Sequence, residues 1–264
     1  MNKRINVKPL KKFGQNYLQD KNILAKIADE FNPAEGENII EIGPGTGNLT
    51  EVLYSRVKNI TGVEIDSRVA EELRIKFPGM KLVQESILDC DLAELRENKE
   101  KPLRVIGNIP YNLTSPILFH LLKQREIVED AVLLMQLEVA ERLTSSTGTK
   151  AYGILAAIFN AFADIELCFK VSPNVFFPKP KVFSAVVHVR FRNKYNIEDE
   201  RTYIQTVKAG FATRRKTLKN ALNNSIFKDI NFADCPTDLK LRAEQLTIPG
   251  FIQLADYISL NRKK

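Results

Sequence analysis

The fold is decided by the stretch Asn38-Ile-Ile-Glu-Ile-Gly-Pro-Gly-Thr-Gly47, an apolar run that leads directly into a turn with three glycines. The β-branched residues of the run favour a strand, and the segment that follows, 48–56, has the apolar spacing of a helix. Glycines at such a junction let the backbone turn tightly and approach a ligand at the carboxyl edge of a sheet. The stretch therefore predicts a strand, a ligand-binding turn and a helix.

The same alternation continues along the chain. Further β-branched runs occur at 59–63, 80–83, 103–107 and 131–135, and helical spacing occurs at 67–77 and 116–122. Strands and helices that alternate at this interval are typical of parallel strands joined by crossover helices. We therefore expect a doubly wound α/β sheet.

Two β-rich stretches follow, at 165–171 and 182–191. In the second, apolar residues alternate with His188 and Arg190, which is the pattern of a strand with one solvent-facing side. We therefore expect His188 on the surface of the protein rather than in a metal or catalytic site.

The last part of the chain has helical periodicity only. A polar and charged stretch separates it from the β-rich segments. We therefore place a domain boundary near residue 195, with an α/β domain at 1–195 and a small all-α domain at 196–264.

Composition limits the classes of function. The 264 residues are 44% hydrophobic and 27% charged, which allows a sizeable core and excludes global disorder. The apolar runs are too short to span a bilayer and the N-terminus lacks a secretion signal, so we expect a cytoplasmic protein without membrane contact. Three separated cysteines and two histidines predict neither a disulfide framework nor a metal site.

Positive charge is concentrated at the two ends of the chain. Residues 1–26 contain seven basic residues and one acidic residue, and residues 203–264 contain eleven basic and five acidic residues. This distribution is a common footprint of polyanion binding, although solvated charged helices produce the same counts. We treat 1–26 as a basic N-terminal arm.

Acidic residues near the glycine turn predict its ligand. The order Gly43-x-Gly45-x-Gly47 with Glu41 ahead of it favours S-adenosylmethionine over a nicotinamide dinucleotide, because a carboxylate suits an ammonium group better than a pyrophosphate. Glu64 ends the next strand, where it can accept both hydrogen bonds of a ribose diol. Asp66 is the alternative acid for that role.

A third acidic residue is expected to contact the adenine of the cofactor. Glu85 follows the third strand, where its carboxylate can accept a hydrogen bond from the exocyclic amine, and Asp89 is the alternative. An ordinary solvated loop acid is the other interpretation of this position.

The tetrapeptide Asn108-Ile-Pro-Tyr111 follows the fourth strand and predicts the chemistry. The exocyclic amine of adenine is a poor nucleophile because its lone pair is delocalised into the ring. The side-chain oxygen of Asn108 and the backbone oxygen of Ile109 or Pro110 can accept its two N–H groups, which aims the lone pair at a sulfonium methyl. Tyr111 can stack on a base extruded from a nucleic acid. The competing interpretation is a simple turn at a strand end.

A second ring is expected from the proline-rich segment 172–182. Pro178 and Pro180 would hold a neighbouring phenylalanine in a fixed pose. Phe177 can cover the adenine on the face opposite Tyr111, or Phe176 can take that role with Phe177 in the core. Spacing alone does not decide between the two.

Together these pieces resemble the KsgA/RsmA family of ribosomal RNA adenine dimethyltransferases. The matching segments follow the family's order along nearly the whole chain: Phe13–Leu18, Glu41–Gly47, Gly62–Asp66, Asn108–Tyr111, Phe177–Val182, Ser184–Val187, Arg214–Leu218 and Arg242–Leu246. The resemblance implies a Rossmann-like class I methyltransferase domain followed by a small helical domain that helps to grip RNA. It also implies that Asn16 and Leu18 contact the methionine part of the cofactor and that Gly43 lies beneath it. Glu64 would hold the ribose, and Asn108 would contact both the methyl donor and the target. The family usually has aspartate where Glu85 stands.

The resemblance implies a substrate as well. This is a pair of adjacent adenosines in the 3′-terminal hairpin of small-subunit (16S) rRNA, each methylated twice at N6 within an immature 30S-type particle, by an enzyme that we expect to be a monomer. Basic residues would contact phosphate, which positions an RNA without reading its sequence. They are Lys3, Arg4, Lys8, Lys11, Lys12, Arg214, Arg215 and Lys216.

Three other functions compete with this one. They are a large-subunit rRNA methyltransferase of the macrolide-resistance type, a noncatalytic RNA- or DNA-binding factor on the same fold, and a dehydrogenase. The segments 214–218 and 242–246 favour the small-subunit enzyme over the first. The intact tetrapeptide 108–111 argues against a loss of catalysis.

Overall fold

The computed structural model describes Val7, Pro9, Leu10 and residues 14–262. Six residues of the predicted phosphate contacts and matching motifs lie outside the described residues: Lys3, Arg4, Lys8, Lys11, Lys12 and Phe13. Within the described part of the chain, no helix combines the length and the apolar character needed to cross a bilayer.

The described residues divide into two compact units. The first contains those up to Ala140 together with Asp164–Arg192, and the second contains Glu141–Ala163 together with those from Asn193 onward. The segment 141–163 thus groups with the C-terminal residues, whereas a boundary at 195 leaves it in the α/β domain. The two-domain division at 195 stays a prediction.

Nine strands occur among the described residues. In chain order they are β1 (Tyr17–Leu18), β2 (Asn38–Ile42), β3 (Ile60–Val63), β4 (Lys81–Val83), β5 (Leu103–Asn108), β6 (Val128–Gln136), β7 (Ala163–Val171), β8 (Phe176–Phe177) and β9 (Ser184–Phe191). Seven of them form one sheet in the order β4-β3-β2-β5-β6-β9-β7. β2 to β6 run parallel to one another, and β9 is antiparallel to β6. The predicted α/β sheet is confirmed.

The helices alternate with the parallel strands. In the first unit they are α1 (Lys21–Phe31), α2 (Asn48–Tyr54), α3 (Ser67–Lys76) and α4 (Thr114–Lys123). α5 (Leu137–Leu143) follows β6, and the second unit contains α6 (Ile154–Phe162), α7 (Glu200–Phe211), α8 (Leu218–Asn223) and α9 (Ile248–Asn261). The helical character expected for the C-terminal part is confirmed.

The register of the sheet brings the ends of the parallel strands to one edge. Ile42 at the end of β2 lies opposite Val63 of β3 and Gly107 of β5. Asn108, the last residue of β5, lies opposite Leu134 of β6. The glycine turn, the acidic residues after β3 and β4 and the tetrapeptide after β5 therefore meet at the carboxyl edge of the sheet.

Helix α1 begins inside the segment that we treated as a basic arm. Asp20 caps it by accepting hydrogen bonds from the backbone N–H groups of Asn22 and Ile23. Its apolar face, Leu24, Ile27, Ala28 and Phe31, is buried in the hydrophobic core of the first unit. The high charge of residues 1–26 concealed this helix, although these four residues have the spacing of a buried helical face.

The short strands β1 and β8 pair with each other in an antiparallel arrangement. Tyr17 lies opposite Phe177, and Leu18 lies opposite Phe176. Phe176 is buried in the core, whereas Phe177 is 56% exposed. The structure therefore places Phe176 in the core and leaves Phe177 as the ring available for a ligand.

The amino edge of β5 and β6 contains a second group of charged residues, which we call the amino-edge cluster: Glu30, Glu37, Arg104, Asp130 and His188. Arg104 donates to Asp130 through Nε at 2.9 Å and Nη2 at 2.8 Å, and to Glu37 at 3.0 Å. His188 lies between Asp130 at 2.8 Å and Glu30 at 2.9 Å. Burial acts to raise the pKa of Asp130, but hydrogen bonds from Arg104 and His188 outweigh it and hold the pKa below its usual value.

The amino-edge cluster corrects the expectation for His188. This residue is only 4% exposed, so it does not lie on a wet face of β9. Glu30 of α1 reaches its Nδ1 from a position 158 residues earlier in the sequence. Because the alternation along a strand does not reveal what covers its polar face, the sequence pattern alone predicted the wrong environment.

The second unit has its own aromatic core. Tyr203 of α7 is fully buried, donates to the backbone oxygen of Ala157 at 2.7 Å and lies edge-to-face against Phe162 of α6. Phe211 stacks on Phe251 of α9. These contacts explain why α6 groups with the C-terminal helices.

Candidate active site

A cavity opens at the carboxyl edge of the sheet in the first unit. It is lined by Gly14, Gln15, Asn16, Tyr17, Ile42, Gly43, Gly45, Val63, Glu64, Ile65, Glu85, Ser86, Ile87, Asn108, Ile109, Pro110, Tyr111, Asn112, Leu113 and Ile117. Eight of the predicted site residues are among these: Asn16, Gly43, Gly45, Glu64, Glu85, Asn108, Pro110 and Tyr111. Leu18 and Glu41 instead line a smaller cavity that shares Tyr17, Gly43 and Asn108 with the first. Phe177 lines neither cavity.

The glycine turn requires glycine at its centre. Gly45 has a φ of +54°, a conformation that residues with a Cβ rarely adopt. A Cβ at this position would lie 2.8 Å from the ring of Tyr17. The buried ring of Tyr17 thus lies against one side of the turn, and Gly45 lines the cavity.

Glu64 is held in place by backbone donors. One carboxylate oxygen accepts from Gly45 N at 3.1 Å and the other from Asp66 N at 2.9 Å. Burial raises the pKa of Glu64, and these two hydrogen bonds oppose the shift. A fixed carboxylate that lines a cavity can accept further hydrogen bonds from a diol.

Asp66, the alternative to Glu64, has a structural role. Its side chain accepts from the backbone of Arg68 at the start of α3 and pairs with the guanidinium of Arg68 at 2.6 Å. Hydrogen bonding to Arg68 holds the pKa of Asp66 below its usual range. Asp66 does not line the cavity, so the geometry favours Glu64.

Glu41 is a buried acid inside strand β2. It is 1% exposed, and within the described residues its Oε2 has no hydrogen-bond partner. Burial, opposed by Thr50 and reinforced by the charge of Glu64, raises the pKa of Glu41 to about 8. Such an oxygen is uncommon in a folded protein, and a cationic or hydrogen-bond-donating ligand would satisfy it.

Glu85 is the second residue after β4. It lines the cavity together with Ser86 and Ile87, whereas Asp89 does not. Ile65, which is 50% exposed, adds apolar surface after β3. An acceptor beside the exposed Ile65 and the buried Ile87 is a suitable environment for a purine with an exocyclic amine.

The side chain of Asn108 is fixed by a residue far away in the sequence. Its Nδ2 donates to the backbone oxygen of Asn16 at 2.7 Å. Because a backbone oxygen can only accept, the amide nitrogen must face Asn16, and Oδ1 of Asn108 is left as an acceptor. Asn108 therefore presents the group that the predicted chemistry requires.

The rest of the tetrapeptide forms a tight turn. Pro110 O accepts from Leu113 N at 3.0 Å and from Thr114 Oγ1 at 3.4 Å, which favours the Ile109 oxygen as the second acceptor for an amine. The hydroxyl of Tyr111 lies 2.6 Å from Ser184 Oγ. Burial, opposed by this bond, raises the pKa of Tyr111.

Arg214, Arg215 and Lys216 lie in the second unit. Arg214 donates to the backbone oxygens of Lys150 at 2.8 Å and Tyr152 at 3.1 Å, and lies 3.6 Å from Glu244. It is thus part of the internal structure of this unit, although half of its side chain is exposed. Arg215 and Lys216 are exposed.

Sequence reasoning missed several residues that line or brace the cavity. Tyr17 lines it and has a pKa raised to about 12, chiefly by burial, and Gln15 bonds Asp66 at 3.3 Å. Ser184 braces Tyr111, although the sequence showed it only as part of a motif. For Ile65, an apolar residue between Glu64 and Asp66 at a strand end was an available signal.

Comparison with known proteins identifies the family of this chain. A family model described as ribosomal RNA adenine dimethylase matches residues 6–259. "Ribosomal RNA small subunit methyltransferase A" of Hahella chejuensis is 37% identical over 262 residues, which cover 97% of this chain and 95% of that protein. The protein of the same name in Salinibacter ruber is 42% identical over 265 residues, which cover 98% of this chain and 88% of that protein.

Two solved structures share the fold. A dimethyladenosine transferase from Plasmodium falciparum superposes with a TM-score of 0.75 at 23% identity, covering 90% of this chain and 95% of that one. The 23S rRNA methyltransferase ErmE superposes with a TM-score of 0.66 at 25% identity, covering 92% and 99%. The extent of the family match, together with the full-length relatives, confirms the resemblance inferred from the motifs. This chain belongs to the ribosomal RNA adenine dimethylase family of methyltransferases.

Proposed function

We propose that this protein transfers methyl groups from S-adenosylmethionine to N6 of two adjacent adenosines in the 3′-terminal hairpin of small-subunit rRNA, with two methyl groups added to each. The observation that carries the proposal is the bond from Asn108 Nδ2 to Asn16 O at 2.7 Å. It turns the amide oxygen of Asn108 into a fixed acceptor beside Tyr111, in the cavity that also contains the glycine turn.

The residues of the two cavities that share Tyr17, Gly43 and Asn108 fit S-adenosylmethionine, which supplies a methyl group activated by its sulfonium. Glu41 Oε2, buried and without a partner among the described residues, can accept from the ammonium group. Glu64 can accept from the ribose diol, and Glu85 can accept from the adenine amine. Asn16 and Leu18 would contact the methionine part and Gly43 would lie beneath it, as the family resemblance implies.

Asn108 and Ile109 would orient the target amine. With Oδ1 of Asn108 and the backbone oxygen of Ile109 accepting its two N–H groups, the nitrogen lone pair points toward the methyl group. Alignment of this kind can account for much of a rate enhancement. No strong base is needed, because the amine becomes acidic only as the methyl group is transferred.

Tyr111 and Phe177 would hold the flipped adenine between two rings. Tyr111 lines the cavity with its hydroxyl held by Ser184, so its ring has a fixed plane. Phe177 is exposed, and its backbone pairs with that of Tyr17, which lines the cavity. Stacking on aromatic side chains offsets the loss of base stacking in the RNA by about 1–3 kcal/mol per base.

RNA contacts outside the cavity are proposed for Arg215 and Lys216, which are exposed, and for Lys11 and Lys12. Arg214 would contribute through the exposed part of its side chain. The immature 30S-type particle as the true substrate, a monomeric enzyme and a cytoplasmic location are further parts of the proposal.

The deciding experiment is mass spectrometry of small-subunit rRNA from cells with and without this gene. We expect N6,N6-dimethyladenosine at two adjacent positions of the 3′-terminal hairpin only when the gene is present. Complementation with Asn108→Ala should fail to restore it. Unmodified adenosines in cells with the intact gene would refute the proposal.

Large-subunit rRNA is the second candidate substrate, because ErmE, a 23S rRNA methyltransferase, shares this fold. Primer extension across both rRNAs separates the two candidates. A stop at a large-subunit adenosine that depends on the gene would favour the second.

A further inference from the structure

The segment that follows β4 contains an interaction that the cofactor contacts proposed so far do not use. Cys90 is 4% exposed, and its Sγ lies 3.1 Å from Oε1 of Glu85 and 3.4 Å from the backbone oxygen of Ser86. A thiol has one proton to donate. The shorter distance, and the formal charge on the carboxylate, favour donation to Glu85.

The thiol stays protonated near neutral pH. Burial, reinforced by the hydrogen bond to Glu85 and its charge, raises the pKa of Cys90 to about 12. Cys90 therefore acts as a donor toward Glu85 rather than as a reactive thiolate.

The donor is fixed to the body of the first unit. Leu92 N donates to the side-chain oxygen of Gln124, which directly follows α4, at 3.2 Å, and Asp89 N donates to Ser86 O at 2.9 Å. Glu85, in contrast, is an exposed side chain at the rim of the cavity. A free glutamate loses rotamer entropy when it binds a ligand, and a bond that already restrains it lowers that cost.

We propose that Cys90 is a positioning residue for Glu85. The thiol holds Oε1, so that Oε2 faces the 6-amino group of the adenine and the cavity distinguishes an amine from a carbonyl at that position. This inference rests on the proposed function, because it assumes that an adenosyl compound occupies the cavity.

The test measures discrimination between two ligands in the full-length protein. Isothermal titration calorimetry measures Kd for S-adenosylhomocysteine and for S-inosylhomocysteine, which has a 6-oxo group. The ratio of the second Kd to the first measures the preference for the amine. We expect Cys90→Ala to lower this ratio about fivefold, the effect of one hydrogen bond, while Kd for the inosyl compound stays the same. Cys90→Ser, which keeps a donor, should restore the ratio.

Glu85 and a second cysteine provide the controls. Glu85→Ala should abolish the discrimination, and adding Cys90→Ala to it should have no further effect on the ratio, because the thiol acts through the carboxylate. Cys235→Ala, in the second unit, should leave both Kd values unchanged.

Two results would overturn the inference. The first is an equal loss of affinity for both ligands in Cys90→Ala, which would make the thiol a packing residue only. The second is a loss of discrimination by Cys90→Ala even when Glu85 is absent. If the unaltered protein binds neither compound, the proposed function itself fails, and this result is distinct from the other two.

Discussion

The two edges of the central sheet both contain buried carboxylates, but they differ in how those carboxylates are neutralised. At the amino edge, Asp130 is paired with Arg104 and His188, and its pKa lies below its usual value. At the carboxyl edge, Glu41 has an oxygen without a partner among the described residues, Glu64 has only backbone donors in the hydrogen bonds described above, and the pKa of both is raised. The amino edge thus neutralises its buried carboxylate with side chains of the protein, whereas the contacts described above for Glu41 and Glu64 include no cation.

The largest expected effect is a loss of stability when the amino-edge cluster loses its main cation. Arg104→Ala would leave Asp130 buried without its main cation, and removal of one partner from a buried pair typically costs about 3–5 kcal/mol. We expect this loss in the free energy of unfolding measured with urea at pH 7. Arg74→Ala, at an exposed arginine of α3, is the matched control and should change stability by less than about 0.5 kcal/mol. Equal stabilities of the two variants would show that the amino-edge cluster contributes little.

Asn108→Ala tests the carboxyl edge, where we expect a loss of activity without a loss of stability. Loss of the fixed acceptor should reduce kcat for methyl transfer by about 100- to 1,000-fold, as removal of one transition-state hydrogen bond does in other enzymes. The melting temperature and RNA affinity should stay nearly the same, since Asn108 lies at the cavity wall. Asn174→Ala, at an exposed asparagine, is the control and should have normal turnover. Near-normal turnover in Asn108→Ala would refute the proposed role in aiming the amine.

Glu41→Gln tests how the stability contributed by the carboxyl edge depends on pH. Because the folded pKa of about 8 lies above the ordinary value of 4.5, the favourable contribution of Glu41 is fully present below pH 4.5 and is lost as pH rises through about 8. We expect the variant to exceed the unaltered protein in stability by about 1–3 kcal/mol at pH 9, with no difference near pH 4.

The amino edge should show the reverse slope. The pKa of Asp130 is lowered, so its contribution is present above its unfolded pKa and is lost as pH falls. Denaturant titrations of Glu41→Gln from pH 4 to 9, and of Asp130→Asn from pH 6 to 2, each beside the unaltered protein, measure both slopes. Slopes of the same sign would contradict the distinction between the two edges.

The smallest expected effect is on RNA binding by residues outside both edges of the sheet. Neutralising Arg215 and Lys216 together should weaken RNA binding and lower the slope of log K against log salt by about 1 for each phosphate that the protein no longer neutralises. Stability and cofactor affinity should not change, because both residues are exposed and belong to the second unit. Filter binding from 50 to 300 mM salt measures the slope, and an unaltered slope would remove these residues from the RNA interface.

Local patterns predicted the parts of the fold that depend on neighbouring residues. The strand and turn of 38–47 and the strand that ends at Asn108 were recognisable because period, β-branching and glycine act over a few residues. These strand ends also placed Glu64 and Glu85 at the edge where the cavity is found. Their binding roles stay predictions.

Contacts between residues far apart in the sequence determine the features that local patterns could not predict. Phe176 and Phe177 are adjacent and chemically identical, and only the pairing with β1, some 160 residues earlier, puts one in the core and the other at the surface. His188 has a polar pattern but is buried because α1 brings Glu30 over it. Ser184 meets Tyr111 across 73 residues, so the brace of that ring had no local signal.

The bond between Asn108 and Asn16 has a consequence for the order in which the protein is made. Asn16 leaves the translating ribosome 92 residues before Asn108, whose side chain it holds through a hydrogen bond. The proposed acceptor for the target amine is therefore fixed by two parts of the nascent chain that emerge at different times, the later one when the sheet is half complete. A translation product that starts just after Asn16 would keep the residues of every described strand and the glycine turn, yet the amide of Asn108, the proposed acceptor, would lose the partner that fixes its orientation.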